Sequence, residues 1–251
     1  MKKTALITGA TSGIGRAIAG RLAKEGYRLV ITGRRRERLE EISKELSAVT
    51  EVLPLVFDVR RLEEVEKFLG HLPAQWQEID VLVNNAGLGG WLEALQSRLI
   101  DDCEMMIDTI VMGLLYVSRT ILPGMIARCK GHVFNLGSIA GKETYMNGNV
   151  YCATKHAVDS LSKSMRMECL PYGIKVTQIC PGAVETEFSN VRFHGDDERA
   201  ANVYKGFTPL KGEDIADLVA YCLNLPSHVC LNDIVVMPTA QANSGNFHKV
   251  L

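Results

Sequence analysis

The sequence has no excess of charge of either sign and no long apolar run. Its 28 lysines and arginines balance 29 aspartates and glutamates, and the two signs are interspersed, which excludes the basic surface typical of proteins that bind nucleic acid or anionic membranes. No apolar stretch approaches the roughly 18 residues of a membrane span. Thr8 and Gly9 interrupt the apolar start that could imitate a signal peptide. We therefore expect a soluble, cytoplasmic protein with no nucleic-acid or membrane partner.

Paired cysteines and metal-ligand spacings are also missing. The seven cysteines are odd in number and form no CxxC pair, which is typical of reduced, buried side chains in a cytosolic protein. The six histidines show no metal-ligand spacing with one another or with the cysteines. We therefore expect no bound metal.

Apolar runs of strand length recur along the chain and alternate with helical patterns. The runs are ALIT, RLVITG, VLPLVFDV, IDVLVNNAG, HVFNLGS, KVTQICPG and DIVVMP. Seven buried strands separated by helices indicate a parallel sheet covered on both faces, with right-handed crossovers. With 47% apolar residues, the chain can bury one large core. The sequence predicts an α/β protein with a doubly wound (Rossmann) fold, as a single domain over residues 1–251.

Residues 183–209 break this alternation. The segment AVETEFSNVRFHGDDERAANVYKGFTP is charged, aromatic and interrupted by glycine. A long irregular connection at such a place is usually a functional lid or a binding loop. We therefore expect a lid-like segment here.

A glycine-rich turn follows the first strand. KKTALITGATSGIGRAIAGRLAKEG reads as a buried strand, a turn with Gly9, Gly13 and Gly15, and an amphipathic helix. In a dinucleotide-binding turn, glycines let backbone N–H groups approach a pyrophosphate at the positive end of the helix. The spacing is GxxxGxG and not GxGxxG, and glycine between a strand and a helix is also common in simple connecting loops. The strand context favours dinucleotide binding.

Ser138, Tyr151 and Lys155 form a candidate catalytic set. The segment NVYCATKHAVDSLSKSMRME lacks proline and has apolar residues at helical spacing, so Tyr151 and Lys155 lie at i and i+4 on one helix face. Ser138 ends a buried strand, at the edge where open α/β sheets bind ligands. A nearby cation such as Lys155 favours the phenolate and lowers a phenol pKa. Taken alone, the helix could equally be an ordinary amphipathic one that carries Tyr and Lys.

Taken together, these motifs resemble the short-chain dehydrogenase/reductase family. The residues that carry the resemblance are TGATSGIG, the NNAG of residues 84–87, the Ser138, Tyr151 and Lys155 set, and the PG of residues 181–182. It covers almost the whole chain. GRRRERL, NVYCATK and TEFSNVRFHGDD further resemble the branch of NADP-dependent 3-hydroxy acid (serine) dehydrogenases.

The residues after the second strand indicate which cofactor binds. An NAD site normally has an acid here, about twenty residues after the glycine turn, to accept from the ribose 2′-hydroxyl. This chain has Gly33 followed by Arg34 and Arg35, and a guanidinium can pair with a 2′-phosphate. We therefore predict NADP as the cofactor. The alternative is that RRRERLEE is only the solvated start of a helix, as we expect for Arg36 and Arg38.

The resemblance implies roles for further residues around that cofactor. Asp58 and Val59 would hold the adenine, and the NNAG segment would line the adenosine ribose side or, as an alternative, stabilise the central sheet. Pro181, Gly182, Val184 and Thr186 would face the nicotinamide. The implied cofactor residues are Gly9, Thr11, Ser12, Gly13, Ile14, Gly15, Arg34, Arg35, Asp58, Val59, Asn85, Ala86, Gly87, Tyr151, Lys155, Pro181, Gly182, Val184 and Thr186.

The implied reaction is hydride transfer between the nicotinamide and a substrate carbon. Tyr151 would pass a proton to or from the substrate oxygen, Ser138 would hydrogen-bond that oxygen, and Lys155 would hold the nicotinamide ribose. The substrate would be a small 3-hydroxy acid or a related alcohol or carbonyl compound. A reductase for a bulkier carbonyl compound is an alternative.

One position departs from the family pattern. Family members usually have an asparagine in the helix before the strand that carries Ser138, and this chain has Ile110 there. An isoleucine side chain cannot hydrogen-bond, so part of the water-linked proton relay behind the lysine would be lost. Asn135 and Asn149 are nearby amides in the sequence. The second function class is therefore an NADP-binding protein with little turnover, a sensor or a scaffold.

Arg192 is the candidate for binding a substrate carboxylate. It lies in the lid-like segment, downstream of Pro181 and Gly182, and it is flanked by Val191 and Phe193. A guanidinium there could pair with a carboxylate once the lid has excluded water. The alternative is an exposed loop arginine, or one paired with Asp196 or Asp197.

The chain is also expected to self-associate. The helical segments 105–117 and 157–167 have apolar residues beyond one face, and related enzymes form dimers or tetramers through the corresponding helices. Burial against the protein's own sheet is the alternative. A homotetramer or homodimer is the prediction.

Overall fold

Seven parallel strands form one sheet in the computed structural model, which describes residues 2–90, 92–192, 195–196, 198 and 202–250. The spatial order is β3-β2-β1-β4-β5-β6-β7. The bounds are Thr4–Ile7 for β1, Arg28–Gly33 for β2, Val52–Val56 for β3, Val81–Asn84 for β4, His132–Leu136 for β5, Lys175–Pro181 for β6 and Asp233–Val236 for β7. All seven apolar runs are therefore strands, and the doubly wound prediction is confirmed.

Helices connect the strands and cover both faces of the sheet. Their bounds are Gly13–Lys24 for α1, Arg36–Leu46 for α2, Leu62–Leu69 for α3, Ile100–Ile107 for α4, Gly113–Ala127 for α5, Asn149–Cys169 for α6, Phe188–Arg192 for α7 and Gly212–Leu223 for α8. The helix α7 lies inside the lid-like segment 183–209. The two ends of that segment lie side by side, because Val184 pairs with Leu210, the residue that follows the segment, in an isolated bridge.

Each face of the sheet has its own apolar cluster. On one face, Ile18 of α1 and Val219 of α8 pack with the strand residues Ile7 and Ile31. The other cluster contains residues of α4, α5 and α6. The central strands are buried on both sides, since every residue of β1, β4 and β5 is buried, as is typical of parallel sheets. The strand order reverses between β1 and β4, and that switch point is where such sheets bind ligands.

The helical run Ile100–Ala127 is longer than expected from the sequence, where no apolar stretch approaches the length of a membrane span. A π-helical turn, Asp108–Met112, joins α4 to α5 without a break. By length and composition alone this run of 28 residues could cross a membrane, although 39% of its most apolar window is buried within the protein. A core helix of a soluble protein passes the same test, and residues of this run belong to the apolar cluster under the sheet.

Candidate active site

A cleft of about 600 Å³ runs along the carboxyl ends of β1 to β6. Its walls contain every predicted site residue except Gly15, which is buried in the turn beneath them. The predicted residues that line the cleft are Gly9, Thr11, Ser12, Gly13, Ile14, Arg34, Arg35, Asp58, Val59, Asn85, Ala86, Gly87, Ser138, Tyr151, Lys155, Pro181, Gly182, Val184, Thr186 and Arg192.

The turn after β1 has a backbone conformation that depends on its glycines. Gly9 has a φ of 67°, a backbone conformation that only glycine adopts without strain. A Cβ on Gly15 would lie 2.4 Å from both the Gly9 carbonyl oxygen and Asn85 Nδ2. Asn85 Nδ2 donates to the carbonyl oxygens of Thr8 and Gly9 at 2.9 and 3.0 Å. The NNAG segment therefore fixes the turn, and the residues fit a dinucleotide whose phosphates lie at the start of α1.

Arg34 and Arg35 both reach the cleft, with different partners. Arg35 donates through Nη2 to the hydroxyls of Thr11 and Ser12 at 2.9 and 2.8 Å. Arg34 is half exposed, and its Nη1 lies 3.9 Å from Asp58. Both guanidinium groups remain next to the end of β2, where an NADP 2′-phosphate would lie.

Asp58 at the predicted adenine end has a cation partner that the sequence analysis missed. Arg60 donates to its carboxylate at 2.9 and 2.6 Å. Burial by itself would raise the pKa of Asp58, but the hydrogen bonds from Arg60 outweigh it and hold the pKa below its ordinary value. The carboxylate is therefore ionised at neutral pH.

The three candidate catalytic side chains converge at the centre of the cleft. Tyr151 and Lys155 lie one turn apart on α6, and the Lys155 Nζ is 5.8 Å from the Tyr151 ring centroid. Lys155 is buried and donates to the Leu136 carbonyl oxygen at 2.8 Å. Ser138 caps a short 3₁₀ turn, Ile139–Gly141, and its Oγ accepts from the Ala140 N–H at 3.1 Å. The spacing in the sequence thus brings together a phenol, a hydroxyl and an ammonium.

The charges around Tyr151 differ from the prediction. Burial raises the pKa of Tyr151 above its ordinary value, while the charge of Arg192 and a hydrogen bond with Ser138 pull it down. Burial also lowers the pKa of Lys155 to about 8. The predicted lowering by Lys155 stays a prediction, because the Lys155 ammonium donates to the Leu136 carbonyl oxygen. Arg192 is a second cation beside the phenol, and its charge favours the phenolate.

Arg192, at the end of α7, lies against the ring of Tyr151, the candidate catalytic tyrosine. Its Cζ is 5.1 Å from the Tyr151 ring centroid and 4.8 Å from that of Phe188. Its Nη2 donates to the Tyr145 hydroxyl at 3.5 Å, and its buried Nε has no hydrogen-bond partner among the residues that the structure describes. Arg192 is therefore not an exposed loop residue. The predicted neighbours Phe193 and Asp197, and the side chain of Val191, lie outside the described residues.

Tyr145 and Gln241 are site residues that sequence reasoning missed. Burial raises the pKa of Tyr145 to about 12, so its hydroxyl is protonated and can donate to a ligand. Gln241 Oε1 accepts from the Ala183 N–H at 2.8 Å, next to Gly182. A Cβ on Gly182 would lie 2.4 Å from that same oxygen. The only signal for Tyr145 was an aromatic residue in the loop between Ser138 and α6, and Gln241 had none.

Comparison with known proteins decides the family. Residues 3–197 match the model of the short chain dehydrogenases. The chain belongs to the short chain dehydrogenase family. It is 46% identical over 241 residues, 96% of both chains, to a Salmonella typhi protein named NADP-dependent 3-hydroxy acid dehydrogenase YdfG. It is also 42% identical over 250 residues, 98% of this chain and 96% of the other, to a Schizosaccharomyces pombe protein named NADP-dependent 3-hydroxy acid dehydrogenase.

Solved structures of family members agree with this assignment. The closed form of a serine dehydrogenase complexed with NADP⁺ superimposes with a TM-score of 0.92 at 43% identity, and the match covers 98% of this chain and 100% of the other. An alcohol dehydrogenase from Thermococcus sibiricus, complexed with 5-hydroxy-NADP, superimposes with a TM-score of 0.84 at 29% identity, over 96% and 98% of the two chains. The resemblance seen in the sequence is thereby confirmed.

Ile110 occupies the position where this family usually has asparagine. It lies in the π-helical turn, is 2% exposed, and lines a small cavity behind Lys155 together with Asn84. Asn84 Oδ1 is buried and has no partner among the described residues. The two amides that the sequence suggested as substitutes bond elsewhere, since Asn135 Nδ2 donates to Ser162 Oγ at 2.9 Å and Asn149 Nδ2 donates to the Glu93 carbonyl oxygen at 3.0 Å.

Proposed function

We propose that this protein is an NADP-dependent oxidoreductase that acts on a small 3-hydroxy acid or a related alcohol or carbonyl compound. The observation that carries the proposal is the convergence of Ser138, Tyr151 and Lys155 in the cleft that also holds the glycine turn. The names of the relatives that are 42 to 46% identical support the substrate class.

Each candidate catalytic residue in the cleft has a separate role in the proposed reaction. The bound cofactor supplies hydride chemistry at its nicotinamide. Tyr151 passes the proton to or from the substrate oxygen, because its phenol is more acidic than the Ser138 hydroxyl beside it and can both donate and accept. Ser138 Oγ hydrogen-bonds the same oxygen. Lys155, held by the Leu136 carbonyl, would hold the cofactor ribose.

NADP is the cofactor that the arginines favour. Arg34 and Arg35 place two guanidinium groups beside the end of β2, where Arg35 is already held by the turn hydroxyls of Thr11 and Ser12. A guanidinium fork binds phosphate oxygens with charge-assisted hydrogen bonds. The turn after β1 would hold the pyrophosphate, Asp58 and Val59 the adenine, and the residues after β6 the nicotinamide.

Arg192 is proposed to bind the substrate carboxylate. It lines the cleft beside Tyr151, and its buried Nε still needs an acceptor. Leaving a buried donor unsatisfied is costly, so an incoming carboxylate would satisfy Nε and form a fork with the guanidinium. The Tyr145 hydroxyl, near Nη2, would lie at the edge of the same site.

Two other functions are tested against this one. Ile110 removes the usual amide behind Lys155, which favours an NADP-binding sensor or scaffold with little turnover. A cleft of about 600 Å³ is also large enough for a bulkier carbonyl substrate beside the cofactor. Both alternatives keep the same cofactor site, so turnover and substrate choice separate them from a hydroxy acid dehydrogenase.

We also propose that the protein is cytoplasmic and that it forms a homotetramer or a homodimer. Ile107 and Leu115, on the outer side of the α4 and α5 run, and Met167 of α6 are exposed apolar side chains. Burying such side chains against a second copy would remove apolar surface from water. Light scattering at micromolar concentration tests this, and a monomeric mass would contradict it.

The deciding experiment is a substrate panel followed by NADPH absorbance. We expect turnover of 3-hydroxy acids with NADP, weak turnover with NAD, and weak turnover of bulky alcohols. The matched control is Tyr151→Phe, which loses the proton-transfer group and should lose most of kcat while still binding NADP. Absence of turnover by the parent protein while NADP binds would favour the sensor or scaffold, and preference for bulky carbonyl compounds would favour the reductase.

A further inference from the structure

Glu187 forms an ion-pair cluster at the mouth of the cofactor cleft. It lies in the lid-like segment 183–209, one residue before α7, and lines the cleft. Its Oε2 accepts from Arg35 Nη1 at 2.9 Å, and both of its carboxylate oxygens accept from Arg38 Nη1 at 2.6 Å. Arg38 is exposed in the first turn of α2, as expected for a solvated helix start, and it also pairs with Glu187.

The same contacts use four of the five N–H donors of Arg35. Its Nε and Nη2 donate to Thr11 Oγ1, its Nη2 also donates to Ser12 Oγ, and its Nη1 donates to Glu187. A phosphate that binds Arg35 through a fork of two N–H donors must therefore replace at least one acceptor that is already present. Ser12 and Thr11 are neutral hydroxyls of the glycine turn, whereas Glu187 carries a charge.

Glu187 is ionised under the conditions in which a cofactor binds. Burial by itself would raise its pKa, but the hydrogen bonds from Arg35 and Arg38 outweigh burial and lower the pKa below its ordinary value. A phosphate monoester carries about −1.5 to −2 charges at neutral pH. Two anions next to the same pair of guanidinium groups repel each other, so carboxylate and phosphate bind there in competition.

We propose that Glu187 competes with the cofactor 2′-phosphate for Arg35 and Arg38, and so sets how strongly the protein prefers NADP over NAD. This inference rests on the proposed cofactor. NAD has no 2′-phosphate and leaves the Glu187 pairs intact, whereas NADP must displace them. The arginines therefore bind the 2′-phosphate less tightly than they would without Glu187.

The test compares Glu187→Gln with Glu185→Gln by titration calorimetry. Glutamine keeps the size of Glu187 and removes its charge, and Glu185 is an exposed acid two residues away in the same segment. The ligands are NADP, NAD, 2′,5′-ADP and 5′-ADP, so the measurement needs no turnover. We expect Glu187→Gln to tighten NADP and 2′,5′-ADP by about fivefold, with NAD and 5′-ADP changed less than twofold. Glu185→Gln should match the parent for all four ligands.

Two results would overturn this proposal, and a third would refute the proposed cofactor. Unchanged or weaker binding of 2′,5′-ADP by Glu187→Gln would overturn it, because the carboxylate would then be neutral toward the phosphate or would help to hold it. Equal tightening of all four ligands would also overturn it, because the effect would not concern the 2′-phosphate. A parent protein that binds 5′-ADP as well as 2′,5′-ADP would refute the proposed cofactor itself, which is a different outcome. Because Glu187 is half exposed, both variants should fold, and thermal melting checks this.

Discussion

Replacing Lys155 with methionine should stabilise the protein at neutral pH while it removes activity. Lys155 is 7% exposed, and burial lowers its pKa to about 8 from an ordinary 10.5. A lysine whose pKa is lower in the folded than in the unfolded chain destabilises the fold fully below the folded pKa. This destabilisation fades as pH rises from about 8 through 10.5. At about 1.36 kcal/mol for each pKa unit, it amounts to about 3 kcal/mol at pH 7.

The methionine variant recovers less than this whole amount. The Leu136 carbonyl loses its donor, Lys155 Nζ, and an unsatisfied buried carbonyl costs about 1 kcal/mol. Methionine has a similar length and adapts to irregular apolar space, so packing should change little. The free energy of unfolding should therefore rise by about 2 kcal/mol at pH 7. At pH 10 the lysine is already deprotonated in the folded state and still mostly protonated in the unfolded state, so its destabilisation falls to about 1 kcal/mol. The lost hydrogen bond offsets this amount, and the gain should fall to about zero.

Urea unfolding at pH 7 and at pH 10 measures the two values. The control is Lys163→Met on the same helix, where the ammonium is exposed and pairs with Asp159 at 2.6 Å. Breaking an exposed pair should cost less than about 1 kcal/mol, and no gain should appear at pH 7. A Lys155→Met variant less stable than its parent at pH 7, or a gain that does not shrink at pH 10, would refute the reasoning about burial.

Three further substitutions test the cleft. Arg192→Gln should raise KM for hydroxy acids by about tenfold or more and leave KM for neutral alcohols of similar size unchanged, because a charged hydrogen bond is worth about 1.5–3 kcal/mol. Equal losses for acids and neutral alcohols would show that Arg192 only shapes the lid. Arg34→Asp should weaken the binding of NADP far more than the binding of NAD, since it places a like charge beside the 2′-phosphate. An unchanged NADP/NAD ratio of kcat/KM would mean that Arg34 is only a surface charge. Ile110→Asn should raise kcat with little change in cofactor affinity, because the new amide would line the cavity that Asn84 and Lys155 also line. Unchanged or lower kcat in a folded variant would mean that Ile110 serves packing.

The sheet was predictable because its signal is local. Each strand is a short apolar run, and all residues of β1 and β5 are buried, so composition alone marks them. The length of the run Ile100–Ala127 was not predictable in the same way. Its continuity depends on the π-helical turn Asp108–Met112, and it also accommodates Pro123 inside α5, a residue that usually ends or kinks a helix.

In the site, too, contacts between residues close in the sequence were predictable, and contacts between residues far apart in the sequence were not. Tyr151 and Lys155 are four residues apart, so helical periodicity alone places them on one face. Arg192 and Tyr145 are 47 residues apart, and Arg35 and Glu187 are 152 apart. No spacing rule joins residues at such separations. The candidate catalytic set and the glycine turn were therefore predictable, whereas the charges that act on them required the fold.

The charge beside Tyr151 links substrate choice to the acid–base chemistry. Arg192 pulls the pKa of Tyr151 down against the effect of burial, and it is also the proposed partner of the substrate carboxylate. A carboxylate bound to Arg192 would offset the guanidinium charge and let the pKa of Tyr151 rise. The phenol would then hold its proton more firmly, which suits donation to a carbonyl oxygen during reduction. Neutral substrates would leave Arg192 free to favour the phenolate, which suits proton removal from an alcohol. Under the proposed roles, acidic and neutral substrates should therefore differ in pH dependence as well as in affinity.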